Sequence, residues 1–341
     1  MTHAQPSPRQ PSLYALLPIV FVSMAGFGLL VPILPFLALK FGATGTETTW
    51  LLGVYSLGQF FAAPLWGRLS DRIGRRPVLL VSLVGIGVSY LFLAWSSNIY
   101  EMGAARLFGG LMAGNIGAAF AYASDVSGPK DRAKSMGLIG ASFGLGFIVG
   151  PALGGWLAGA EPEIVDFHRV CYAAAGAVAL ALVIALFSLK ESLTAELRAQ
   201  QAHSAQGLVP EGTLKLLARP VLATLVIVML LITTAQALME SSFGLWADAV
   251  LQWGPHQLGF VFMGVGVISA LLQGGASGRL AGRFGERRVV AAGIGILGLG
   301  FVGLGFATTP GFSIAAMVLL AIGVGLIGPA LTSLVSQEAA D

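Results

Sequence analysis

The sequence predicts an all-α protein that threads a membrane repeatedly, and three observations carry that prediction. The 341 residues are 56% hydrophobic and only 10% charged, too apolar to be laid out as a globule with a solvated surface. The apolar residues fall into about ten runs of ~20 residues, each long enough to cross a hydrocarbon core. A basic, glycine-anchored cassette occurs twice, as Gly67-Arg68-Leu69-Ser70-Asp71-Arg72-Ile73-Gly74-Arg75-Arg76 and as Gly278-Arg279-Leu280-Ala281-Gly282-Arg283-Phe284-Gly285-Glu286-Arg287-Arg288, each copy linking two long apolar runs.

The spans are placed near 14–40, 50–66, 77–96, 101–124, 134–159, 170–189, 220–247, 257–277, 289–307 and 312–334. They are expected to be helices, because a bilayer leaves no water for unpaired backbone groups and the runs lack the two-residue alternation of a porin strand. Residues 1–12 hold Pro6, Pro8 and Pro11 and the single charge Arg9, too polar for a cleavable signal, and the apolar run that follows is too long for one. The first span is therefore expected to stay in the protein. Residues 191–218, with Glu191, Glu196, Arg198 and Pro210, form the one soluble-looking break. That break divides a six-helix bundle over 1–190 from a partial, four-helix bundle over 219–341. It reads either as an amphipathic cytoplasmic linker lying on the membrane face or as a disordered tether.

The basic residues give an orientation. Arg9 is at the amino end, and the even-numbered connections hold Arg68, Arg72, Arg75 and Arg76, then Lys130, Arg132 and Lys134, then Lys190, Arg198, Lys215 and Arg219, then Arg279, Arg283, Arg287 and Arg288. Lys40 and Arg169 fall on the other side, and Arg106 lies within a span. This asymmetry predicts a multi-pass protein whose N-terminus and even-numbered connections are cytoplasmic. The net charge of +3 thus reports topology and gives no hint of nucleic acid.

Catalysis has no foothold in this composition. Cys171 is the single cysteine, and His3, His168, His203 and His256 sit in the tail or the connections without ligand spacing. No glycine-rich phosphate loop precedes a Lys-Ser or Lys-Thr pair, which argues against ATP coupling within the chain. No enzyme, metal or cofactor is expected. A basic hinge repeated between apolar spans instead describes duplicated halves facing each other, the arrangement by which many secondary transporters alternate access.

Within the first cassette, Gly67 lets two helices approach closely, with Asp71 one turn on and Arg75 one turn beyond. Plain positive-inside decoration is the bland alternative. In the second copy Gly282 takes the place of Asp71, so any latch there is expected to be weaker or absent. Gly140, Gly144, Gly146, Gly150, Gly154 and Gly155 strip one broad side of the fifth span, and Pro151 removes a backbone donor from it. Ordinary small-residue packing explains that series equally well.

Ionisable groups inside a bilayer cost roughly 2.5–3.5 kcal/mol on insertion scales, so each invites a functional reading. Arg106 and Glu240 are the two. Glu240, with Gln236 one turn before it and Thr233 on the same side, is the prime candidate to bind a proton or a cationic substrate. A carboxylate near the outer interface is the competing reading. Arg106 is a candidate partner for Glu240 or for a substrate anion, and Asn115, near mid-span, for a hydrogen bond to cargo. Gln273, Tyr55 and Gln59 complete the pathway candidates, with helix-to-helix hydrogen bonding as the alternative for each.

These residues resemble the major facilitator superfamily, in particular its drug:proton antiporter branch and the tetracycline-efflux-like proteins. The first cassette, followed by Pro77-Val78-Leu79-Leu80, is similar to the superfamily signature between its second and third helices. Gly26 with Pro32 and Pro35 resembles the pattern closing the first helix of the twelve-helix drug exporters. The run Gly146-Phe147-Ile148-Val149-Gly150-Pro151-Ala152-Leu153-Gly154-Gly155 is similar to the antiporter signature of the fifth helix. Arg106 and Gly110 resemble the fourth-helix motif, with Gly109 replacing its usual glutamine. The resemblance implies the major facilitator fold and drug efflux driven by protons. It also implies a cytoplasmic gate of Gly67, Asp71, Arg72, Gly74, Arg75, Arg76 and Asp125, in which Asp125 accepts Arg75 across the bundle and inward opening breaks the cluster.

Departures matter as much. Where the tetracycline exporters carry intramembrane acids in helices one, three and nine and a histidine in helix eight, this chain has Ser23, Ser89, Leu297 and Ser269, so their proton and drug-metal chemistry does not carry over. A lipophilic drug or small metabolite suits the weakly charged pathway better than a sugar or polyanion. The family plan has six helices plus six, and this chain reads as truncated after the tenth. The other reading of function is accordingly a non-transporting fragment or scaffold. Expected partners are a small-molecule substrate and the lipid bilayer, without nucleic acid, and a monomer is favoured.

Overall fold

The computed structural model of the chain describes residues 12–127, 131–194 and 219–340. Among these residues there are helices and no strand. The first span is α1 (Leu13–Leu30) and α2 (Leu34–Lys40), broken at a turn where Pro35, in the first turn of α2, cannot donate a backbone hydrogen bond. The second is α3 (Gly45–Ile73), longer than its predicted span at both ends. Its start is fixed by a capping box, in which the Thr44 amide donates to Glu47 Oε2 at 2.7 Å and the Glu47 amide to Thr44 Oγ1 at 3.3 Å. The third span is α4 (Arg75–Trp95).

The fourth is broken into α5 (Ile99–Met112) and α6 (Asn115–Val126). Ser82 serves the break: its Oγ accepts from the Gly114 amide at 3.0 Å and donates to the Met112 carbonyl. Backbone groups freed inside an apolar bundle need such partners. The first half closes with α7 (Arg132–Ala158) and α8 (Ile164–Ser188).

The second half begins with α9 (Pro220–Leu251). Next come α10 (Pro255–Leu271), a π turn over Leu272–Ala276 and α11 (Ser277–Phe284), which together make the eighth span. The last two spans are α12 (Glu286–Gly305) and α13 (Pro310–Ala340). By length and composition, seven described helical segments can cross a membrane, counting Leu13–Lys40 as one. The other predicted spans fall on α3, on the broken α5–α6 pair and on the α10–α11 pair.

In the first half, α1 packs on α7 and α8, α4 on α5 and α8, and α3 on α5. Their shared core includes Leu16, Ile19, Phe167, Val170 and Ala174, all essentially inaccessible. In the second half α13 is the hub, packed on α9, α10 and α12. The halves meet where α7 lies on α10 and where α9 touches α2 and α3.

The α7–α10 seam is built on missing side chains. A Cβ on Gly155 would approach the Pro255 carbonyl to 2.5 Å, and one on Gly266 would approach Ile148 Cγ1 to 2.7 Å. On the face of α7 toward α1, a Cβ on Gly150 would reach 2.6 Å from the Ala25 carbonyl, and one on Gly146 would reach 2.6 Å from the Phe21 carbonyl. Gly154 sits as tightly against Leu29. From Ala160 against Gly254 to Ile148 against Gly266 the seam covers about 18 Å at 1.5 Å per residue. Toward the end of the bundle that holds the cassettes, Gly137, Gly140 and Gly144 of α7 face open space. The seam is closed at the far end and loose at the cassette end.

Candidate functional site

A cavity of about 390 Å³ lies between the halves, within the range of small-molecule sites. The first half supplies Phe27 and Leu30 from α1, Leu52, Tyr55 and Ser56 from α3 and Arg106 from α5, and the second half supplies Thr234, Ala237, Leu238, Glu240 and Ser241 from α9. Two ionisable side chains separated by 134 positions in the chain thus face one space. Arg106 is a buried residue, 5% exposed, whose guanidinium lies 4.4 Å from the Tyr55 ring centroid as a cation–π contact. Its Nε has no hydrogen-bond partner. Glu240 is exposed toward the cavity, and no ion pair joins it to Arg106.

The other pathway candidates lie elsewhere. Tyr55 is in the cavity wall, but Gln59, one turn on, is outside it. Gln236 is half-buried on α9 and is not part of the wall; Thr233, on the same strip, returns its hydroxyl to the Met229 carbonyl at 2.7 Å. The polar face of α9 that meets the cavity is Thr234, Glu240 and Ser241. Asn115 donates to Ser23 Oγ at 2.9 Å beside a void of only about 10 Å³, so it ties α6 to α1 and has no room for cargo there. Gln273 lies in the π turn, exposed and away from this cavity. Gly109, in place of the family's glutamine, makes room for Ser89, whose Oγ would be 2.5 Å from an added Cβ.

At the cassette end the structure gathers a charged cluster. Arg75 donates from Nε to Asp125 Oδ2 at 3.0 Å and from a terminal nitrogen to Ser70 Oγ at 3.2 Å and to Asp71. The Arg75 and Asp125 side chains are 6% and 5% exposed, whereas Asp71 is 64% exposed. Arg76 donates to the Leu186 carbonyl at 3.0 Å, and Arg72 is exposed. Gly67 meets nothing that a Cβ would touch, so close approach is not its role in this conformation.

Two members of the cluster escape a reading of the sequence. Glu191, at the start of the supposed linker, accepts the Arg75 amide at 2.8 Å and the Arg76 amide at 3.2 Å, capping α4. Ser192 donates to Asp125 Oδ2 at 3.0 Å. Gly74 completes the fit: its φ of +111° suits glycine, and a side chain there would collide with the Glu191 carboxylate. Residues 191–194 are therefore held by the first half, while 195–218 lie outside the described residues. The residues in these contacts all fall between Ser70 and Ser192.

The second cassette is built differently. Gly285, with φ +85°, matches Gly74, but the next residue is Glu286 where the first copy has Arg75. Glu286 accepts from Ser333 Oγ. With glycine at 282, a groove of about 480 Å³ runs beside Gly278, Gly282 and Glu286.

The family model of the Major Facilitator Superfamily matches residues 16–341. The chain belongs to the major facilitator superfamily. It is 31% identical to the class C tetracycline resistance protein of Escherichia coli over 97% of this chain and 82% of that protein. It is 28% identical to multidrug resistance protein 2 of Bacillus subtilis strain 168 over 80% of this chain and 67% of that protein. Among solved structures, the human organic anion transporter MFSD10 (TETRAN) aligns with a TM-score of 0.69 at 26% identity, covering 94% of this chain and 84% of that one. The chain is thus a multi-pass membrane protein of the tetracycline-efflux-like group within the drug:proton antiporter branch, a secondary transporter for drug efflux and not an enzyme.

Proposed function

We propose that this transporter exports a lipophilic drug or small metabolite in exchange for protons, with Glu240 as the group that binds the proton. The observation that carries this reading is the placement of Glu240 in a cavity shared by both halves, where alternating access exposes it to each side in turn. The proton gradient supplies the energy, and no cofactor takes part. The chain works as a monomer in the bacterial inner membrane with its N-terminus in the cytoplasm, partnered by lipid and substrate and not by nucleic acid. The cassette end is then the cytoplasmic end, and the conformation described is closed outward.

Asp71, Arg75 and Asp125 act in this reading as a brace that keeps the first half rigid while the halves rock. Tetracycline, in the names of several relatives, is one compound to try. With Ser23, Ser89, Ser269 and Leu297 at the positions compared above, it has no privileged claim. The test is substrate movement into proteoliposomes under an imposed pH gradient, with proton flux followed by an entrapped dye. Wild-type protein is expected to couple the two fluxes, and Glu240→Gln to bind substrate without gradient-driven accumulation. Full coupling in Glu240→Gln would remove the assignment.

A further inference from the structure

The cavity holds two opposite charges that do not meet. Arg106 is buried and lacks a partner for Nε, and Glu240 faces the same 390 Å³ space from the other half without forming an ion pair with it. Between them run the apolar surfaces of Phe27, Leu30, Leu52 and Leu238. A buried charge without a counter-charge is costly, and a ligand that supplies one recovers that cost.

We infer that the cavity recognises zwitterionic amphiphiles, molecules with an anionic group for Arg106 and a cationic group for Glu240, joined by an apolar or aromatic body. The inference rests on the transporter reading above and adds the substrate class. A neutral ligand would leave both protein charges unanswered. With Glu240 ionised, a monocation would answer it but bring a like charge toward Arg106, and a monoanion would do the reverse. In that state only a ligand with separated charges satisfies both walls while the cavity and its contents stay electrically balanced. Arg106 suits the anionic end, since its planar guanidinium is braced by the Tyr55 ring and can present a fork to a carboxylate. Ser241, next to Glu240, and Thr234, nearly two turns before it, line the same wall and leave hydroxyl oxygens that can accept from an ammonium group. Because the two charges come from different halves, one ligand would bridge the halves and favour the conformation in which they are close.

The experiment uses full-length protein in detergent and a naphthyl fluorophore bearing an amine and a carboxylate on spacers graded from short to long. Each spacer is made in four forms: free, amine acetylated, acid methylated and both capped. At its best spacer the free zwitterion is expected to bind at least about tenfold tighter than any capped form. Arg106→Gln should erase the preference for a free carboxylate and spare that for the amine, and Glu240→Gln should do the opposite. Arg106→Lys keeps the charge and should keep the carboxylate preference, which guards against misfolding of the glutamine variant. Equal binding of the doubly capped form at every spacer, or tighter binding of the monocation, overturns the inference, as do variants that weaken all four forms equally. Binding is read here without a gradient. Zwitterion binding with no proton-coupled flux would defeat the proposed coupling alone, and coupled export of monocations only would defeat this inference alone.

Discussion

Removing Asp125 should cost the first half far more than removing Asp71, although both carboxylates contact Arg75. The Arg75–Asp125 pair is nearly inaccessible, with side chains 6% and 5% exposed, whereas Asp71 is 64% exposed. Stripping one partner from a buried pair costs about 3–5 kcal/mol when the other charge is left uncompensated. Asp71 still answers Arg75 from the exposed side, which puts Asp125→Ala at the low end, about 3 kcal/mol. Asp125→Ala also strands the Ser192 hydroxyl, which adds about 1 kcal/mol. A solvent-exposed ion pair is worth about 0.2–1 kcal/mol, so Asp71→Ala should be mild despite its short contact. Replacing the buried pair together, Arg75→Met with Asp125→Leu, removes both charges and should cost less than Asp125→Ala alone. Equilibrium unfolding in mixed SDS micelles, followed by tryptophan fluorescence, gives all three values. Equal costs for Asp125→Ala and Asp71→Ala, or a double variant worse than Asp125→Ala, would refute the claim that burial decides this cluster.

Glycines on α7 should divide by what they face. Gly150→Ala drives a Cβ to 2.6 Å from the Ala25 carbonyl and should destabilise by about 1–3 kcal/mol, while Gly144→Ala meets open space and should stabilise by about 0.5–1 kcal/mol in the same unfolding assay. Asn115→Ala breaks the 2.9 Å bond to Ser23 and should lower stability by about 1 kcal/mol without changing the rank order of transported compounds. A changed rank order would return Asn115 to the substrate pathway.

The membrane spans were legible because a ~30 Å apolar layer demands long hydrophobic runs, and each placed run falls on a helix or a helix pair. The breaks were less so. The interruption at Ala113-Gly114 depends on Ser82 of another helix, which no local pattern announces. Glu240 stands out by its charge, and Gln236 and Thr233 share its side of α9, but of the three only Glu240 lines the cavity. α9 is apolar nearly all round, so its rotation is set by packing such as Gly244 against Pro35, at 3.2 Å for an added Cβ, and not by amphipathicity. The Asp125 contact came from family resemblance. Glu191 went unnoticed because it sits 116 positions from the amide it caps, in a stretch whose polarity reads as linker.

The two cassettes, so alike in sequence, should differ in rigidity. In the first, a carboxylate caps α4 and buried charges tie α3, α4 and α6 to the residues after α8. In the second, the exchange of Arg75 for Glu286 and of Asp71 for Gly282 dissolves that pattern, and the eight-residue α11 hangs between a π turn and Gly285. A groove of about 480 Å³ runs along α11. The Ser277 hydroxyl donates to the Leu326 carbonyl at 3.1 Å, and Ser333 donates to Glu286, so these ties run to α13 and not to a buried ion pair. Local opening follows contact density, so amides over 278–288 should exchange at least about tenfold faster than those over 67–76 in detergent-solubilised protein. Arg75→Met with Asp125→Leu should narrow that difference by loosening the first cassette, without touching the second. Equal protection of the two segments in the wild type would mean that the ion cluster adds no rigidity, and with it would go the brace assigned to the first half.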